Sequence, residues 1–158
     1  METENGRAEL RGLYTDPAQP LTIAVGPAFD LVSMPAAVGH AALDALRARR
    51  VRLGPVVADS RRAVMRVGFL VTPPQDSAGQ GHAESAALRE WAAGRLGGAL
   101  GVRVGGPGST AILPPLVPWR GWLHWLVPPG GGAGSWTPAG ALQAVLAVLA
   151  ERIGGRAL

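Results

Sequence analysis

The chain alternates short apolar runs with breaks marked by glycine and proline, and three stretches carry the wider apolar spacing of a helix. LTIAV (21–25) closes on Gly26-Pro27, and FDLVS (29–33) alternates apolar with polar positions; both predict strands. Ser33-Met34-Pro35 predicts a helix entrance, because the first turn has no use for the N–H that proline lacks. That helix is expected to reach about Arg49, with Val38, Ala42, Leu43 and Leu46 on its apolar face. Arginines gather in its last turn, where the macrodipole favours cations. PVVAD (55–59) and RAVMRVGFLV (62–71) then predict an antiparallel pair joined tightly through Ser60-Arg61.

A polar, proline- and glycine-rich loop spans 72–83. The next helix is predicted over 84–96, carrying Leu88, Trp91 and Leu96 and stopped by Gly97-Gly98. VRV (102–104), TAIL (110–113) and GWLHWLV (121–127) predict three more strands, and PPGGGAGS (128–135) reads as a flexible linker. The last helix opens on Thr137 as N-cap with Pro138 as its first residue. Its stripe is Leu142, Val145, Leu146, Leu149 and Ile153, and Gly154-Gly155 ends it. The order β-β-α-β-β-α-β-β-β-α predicts an α+β fold, a mostly antiparallel or mixed sheet with packed helices. Residues 1–20 read as a loose leader that orders only against the domain, and 21–156 as a single domain.

Composition narrows the chemistry. Cysteine is absent, which removes disulfides, thiolate catalysis and the common structural zinc sites. The net charge is +4, and all 15 basic residues are arginine. Abundant alanine, glycine, proline and arginine are what a GC-rich coding sequence produces, so the arginine-only pattern carries little functional weight. The polar, acidic N-terminus lacks a signal peptide's apolar core, and no run approaches a membrane span. The expected location is the cytoplasm, with no membrane partner.

Most candidate motifs have a plain structural alternative. GPGSTA (106–111) lacks the Gly-Lys-Ser/Thr ending of a phosphate loop and reads as a hairpin turn. His40, His82 and His124 lack metal-ligand spacing, and no Gly-x-Ser-x-Gly elbow occurs. Acids are scattered: Asp30, Asp44 and Asp59 are the only three between residues 17 and 75, and Asp44 falls on the polar side of its helix. Arg47, Arg49, Arg50, Arg52, Arg61, Arg62 and Arg66 place seven positive charges within 20 residues. If the helix end and the hairpin turn lie together, they form a basic edge for phosphates; otherwise they are helix-end and turn charges. WRGWLHW (119–125) holds three tryptophans, suited either to stacking bases or to closing a core.

The order of these pieces resembles the bifunctional DNA primase/polymerase N-terminal domain, in the archaeo-eukaryotic primase group, and most of all its short actinobacterial members. IAVGPAFDLVSMPAAVGHAALDAL resembles the family's start, LGPVVADSRRAVMRVGFLV its middle hairpin, and STAILPPLVPWRGWLHWLVPP its closing segment. The resemblance covers roughly residues 21–128 and implies an RRM-like α+β core. It also implies where a polymerase would keep its site. The metal-binding Asp-x-Asp pair falls on Ser33 and Pro35, the phosphate-contacting histidine near Met65, and the third acid on about Arg103. Asp30 lies three residues before the first metal position and on the opposite strand face. Nucleotidyl transfer clamps two divalent ions between carboxylate oxygens, which serine, proline and arginine do not supply.

The expectation is a catalytically degenerate module with no catalytic residue, metal or cofactor, binding nucleic acid or a nucleotide. Arg61, Arg62, Arg66 and Arg103 would contact phosphates, and Trp119 or Trp122 would stack on bases. The alternatives are a protein-interaction module and residual polymerase activity at a rebuilt site.

Overall fold

The structure, a computed structural model, describes residues 10–25, 29–71, 80–105, 108–117, 121–129 and 136–156. In chain order its elements are β1 (Leu21–Ala24), β2 (Asp30–Pro35), α1 (Ala36–Ala48), β3 (Val56–Asp59), β4 (Arg66–Val71), α2 (Gln80–Ala93), α3 (Arg95–Leu100), β5 (Arg103–Gly105), β6 (Thr110–Leu113), β7 (Leu123–Val127) and α4 (Ala139–Arg156). The fold is α+β. Five strands form an antiparallel sheet in the order β5-β2-β4-β3-β7, and β1 pairs with β6 in a separate two-stranded ribbon. Among the described residues no helix is long and apolar enough to cross a membrane.

Strand chemistry explains the order. β4, RVGFLV, is apolar on both faces and takes the centre, buried along nearly its whole length. β2 alternates, and Val32 and Met34 enter the same core as Val67, Phe69 and Val71 of β4. That core is closed by Leu43 and Leu46 of α1, Leu88 of α2, Leu100 of α3 and Leu142 and Leu146 of α4. Each such large apolar side chain contributes about 1.5–3 kcal/mol of burial. A second core, on the opposite side of the sheet, joins Val57, Leu70 and Leu123 to Ala111 and Leu113 of β6. Leu10 and Tyr14, from the stretch read as a leader, are buried in it, and the Tyr14 hydroxyl donates to the Pro114 carbonyl at 2.6 Å. The molecule is thus helices, sheet, and a smaller layer of ribbon and N-terminal segment.

Several boundaries differ from expectation for identifiable reasons. Pro35 ends β2 and caps α1 instead of sitting in its first turn, since Pro35 pairs with Arg66 across the sheet. The hairpin connection is residues 60–65, not two residues, because β4 begins only where Arg66 meets Asp59. Gly97-Gly98 does not stop a helix: the break is at Gly94, and both glycines lie inside α3. A Cβ on Gly97 would sit 2.5 Å from the Ala92 Cα, so glycine serves the close approach of two helices there. The stop is Gly101, whose φ of 75° is the left-handed conformation glycine accepts. Thr137 does not cap its own helix; its hydroxyl accepts from the Gly54 N–H while its own N–H bonds Leu70. α4 runs to Arg156, past Gly154-Gly155, and Ile153 is exposed rather than part of the buried stripe.

Candidate functional site

Residues directly opposite one another on neighbouring strands share a face of the sheet. Arg103, Ser33, Gly68, Val57 and Trp125 are successive partners across β5, β2, β4, β3 and β7. Pro35, Arg66, Asp59 and Leu123 form the next row. Both rows lie on the face away from the helices. The ribbon covers part of that face and leaves a cleft of about 210 Å3. Its floor includes Leu31, Ser33, Val57, Gly68 and Leu123, its wall is Thr110–Leu113 of β6, and Asp59, Arg61 and Arg66 stand around it. Glycine at 68 keeps the floor low; a Cβ there would reach within 3.0 Å of the Leu31 side chain.

The charges in this cleft are unevenly matched. Arg61 grips Asp59 with two guanidinium bonds, Nε to Oδ1 at 2.9 Å and Nη2 to Oδ2 at 2.7 Å, and its backbone N–H donates to the same Oδ1. Those bonds hold the Asp59 carboxyl below its ordinary range against the opposing effect of burial. Arg66 has no carboxylate partner among the described residues. It is half-buried, and its guanidinium donates to Ser33 Oγ at 3.1 Å and to the Gly101 carbonyl at 2.8 Å. Desolvation, and then the nearby charge of Arg103, holds it below the usual arginine range. Because Ser33 Oγ accepts from Arg66, its own proton is left free to donate into the cleft.

The sequence-predicted residues are partly brought together. Ser33, Arg61 and Arg66 line the cleft, and Pro35 and Arg103 share its sheet face at the margin. Arg62 and Met65 stand on the exposed 60–65 loop, where Met65 is 52% exposed and its carbonyl accepts the Ala36 N–H. Trp122 is 72% exposed and tied to the same loop, the Ser60 N–H donating to its carbonyl. Trp119 lies outside the described residues. Trp125, partly buried, packs against the second core and donates to the Pro115 carbonyl at 3.1 Å. The seven arginines do not form one edge. Met65 meets the N-terminal end of α1, and a helix of 13 residues is about 20 Å long, so Arg49, Arg50 and Arg52 lie at the far end.

Asp30 belongs to the other side. It is fully buried among the helix-facing residues of β2, accepting from Ser85 Oγ at 3.0 Å and Arg89 Nη2 at 2.8 Å. His40 is exposed, His124 shares a hydrogen bond with the Gly121 carbonyl, and the His82 side chain lies outside the described residues. Among the described residues no three His, Asp or Glu side chains cluster as metal ligands. Asp59 is the site residue sequence reasoning passed over, having counted it only as one of three scattered acids. An Asp two residues before an Arg at a strand end was the signal, since such an aspartate folds back on the turn it opens. No protein-family model, curated protein or solved structure matches the chain.

Proposed function

We propose that the chain is a catalytically silent, primase/polymerase-like module that binds nucleic acid or a nucleotide through phosphates held in the sheet cleft. One observation carries this reading: Arg66 is half-buried beside Arg103 with no carboxylate among the described residues to neutralise either. A desolvated cation held by a hydroxyl and a carbonyl gains more from an incoming anion than a solvated surface charge does. The cleft offers phosphates its arginine margin, and an attached sugar or base its apolar floor. The positions that the family resemblance gives to metal ligands carry Ser33, Pro35 and Arg103, so the same face that would bind a nucleotide offers no paired carboxylates for metal ions.

The test is fluorescence anisotropy with a labelled single-stranded DNA at low salt, with ATP as competitor. Binding is expected to weaken steeply with salt, and Arg66→Ala to reduce the log K against log salt slope by roughly 0.7 for each phosphate it no longer neutralises. Absence of binding at low salt, or an Arg66→Ala, Arg103→Ala double variant that binds like the parent, would reject it. A protein-interaction module is the second reading, favoured by the exposed apolar side chains beside the cleft, Trp122, Val64 (59%) and Met65. Residual polymerase activity has Asp30 as its nearest surviving acid, and that residue is engaged on the opposite face of the sheet. Metal-dependent primer extension abolished by Asp30→Ala would revive it.

A further inference from the structure

Asp59 has several arginines around it but binds only one. It stands opposite Arg66 on the neighbouring strand, yet Arg66 turns to Ser33 and Gly101 while Arg61 takes both carboxylate oxygens. The choice follows from the chain: the Arg61 N–H fastens Oδ1 from only two residues away, and the guanidinium follows its own backbone. Arg61 lines the cleft, so the pair sits where a ligand would enter. Both side chains remain partly open to solvent, at 41% and 31%. An ion pair that exposed is weak, so a competing anion separates it easily. A phosphate offers the same planar fork two acceptor oxygens in the same geometry.

We infer that Asp59 is a specificity-determining residue that holds Arg61 in reserve: a ligand phosphate must take Arg61 from Asp59, so the cleft favours polyphosphates or linked phosphates over a single phosphate. The inference rests on the reading of the cleft as a phosphate site. A monophosphate settles against Arg66 and Arg103 and leaves the Asp59–Arg61 pair closed. A chain of phosphates reaches the second position and recruits the third guanidinium, at the cost of exposing Asp59. Withholding a cation passes through Arg61, whereas simple repulsion of anions by Asp59 would not, so removing Arg61 distinguishes the two.

Calorimetric titration with inorganic tripolyphosphate and with orthophosphate separates these actions. The parent protein is expected to prefer tripolyphosphate, and Asp59→Asn to bind it about twofold more tightly, the equivalent of releasing one exposed ion pair. Asparagine keeps the turn, because its side-chain oxygen accepts the same backbone N–H. In the Asp59→Asn, Arg61→Ala double variant the gain should vanish, whereas orthophosphate binding should change little in either protein. A gain that survives removal of Arg61 shows simple repulsion and overturns the exchange, as does an Asp59→Asn protein indistinguishable from the parent. If the parent and Arg66→Ala proteins bind both anions equally or not at all, the phosphate site itself fails, and the inference fails with it.

Discussion

Two aspartate–arginine pairs are found among the described residues, one on each face of the five-stranded sheet, and they are built in opposite ways. Asp30–Arg89 joins β2 to α2 across 59 residues of sequence, with Asp30 wholly buried. Asp59–Arg61 spans two residues and stays partly open to solvent. On the helix face the carboxyl group is held by neighbouring elements: Ser85 and Arg89 each supply a donor to Oδ2, while Oδ1 has no partner. On the cleft face the charge is held by its own turn and the surroundings are unfilled. The first arrangement ties elements together; the second leaves both partners available for exchange. Charge in the same sheet is thus structural where the layers close over it and available to a ligand where they do not.

Breaking the Asp30–Arg89 pair, whose acid is wholly buried although its arginine is 40% exposed, should have the largest effect. Arg89→Ala leaves an unpaired carboxylate under α2, and a loss of about 3 kcal/mol in unfolding free energy is expected from denaturant titration. The Asp30→Ala, Arg89→Ala double variant should lose less than the two single changes combined, because the arginine's absence matters only while the acid remains. A loss under about 0.5 kcal/mol for Arg89→Ala would place this pair with ordinary surface ion pairs and erase the contrast between the faces.

The next effect concerns the layer beside the cleft, which Tyr14 fastens to Pro114. Burial pushes the Tyr14 phenol up to about 12 from an ordinary value of 10. The folded state therefore holds this proton more tightly than the unfolded state does. The associated stability is fully present below about pH 10 and lost as pH rises towards about 12, a fall on the order of 2 kcal/mol. As the chain has a single tyrosine, its phenolate absorbance can be titrated without overlap from another. Tyr14→Phe should be less stable at neutral pH, where the hydroxyl's bond is missing, and should lack the alkaline decline. A parent titration midpoint near 10 would mean the N-terminal segment does not close this side.

Which parts of this arrangement were visible in the linear pattern follows from how far each determinant reaches. β4 announces itself as a continuous apolar run, and the parity of β2 already separates Asp30 from Ser33. Both signals are carried by adjacent residues. The role of Gly97 depends on the Ala92 backbone beyond the Gly94 break, so a glycine pair that looks like a stop becomes a packing contact. Thr137 likewise serves Gly54, 83 residues away, rather than its own helix. The cleft itself depends on β6 leaving the main sheet to pair with β1, a choice that a four-residue run, TAIL, leaves open. Arg66 and Arg103 were visible as charges, but their nearness and their lack of acids emerge only from strand order.

The smallest effect on stability should come from the exposed pair, and its direction with pH is the sharpest part of the comparison. Arg61 lowers the Asp59 pKa, first through the side-chain bonds, while partial burial works against it. A carboxyl that ionises more readily when folded contributes stability above its unfolded value of about 3.9, and that contribution disappears as pH falls through the lower folded value. Solvent screening keeps it within about 0.5 kcal/mol. Asp59→Asn should therefore cost at most that much at pH 7, and the difference should vanish as pH falls through the lowered folded value, below which the parent carboxyl is protonated in both states. Acid-range melting curves of the two proteins should converge as the pH drops. If Asp59→Asn were instead to cost about 3 kcal/mol at neutral pH, Asp59 would be holding the hairpin together as Asp30 holds α2. A pair that important to the fold could not surrender Arg61 to a ligand at little cost, so the proposed exchange requires the loss to be small.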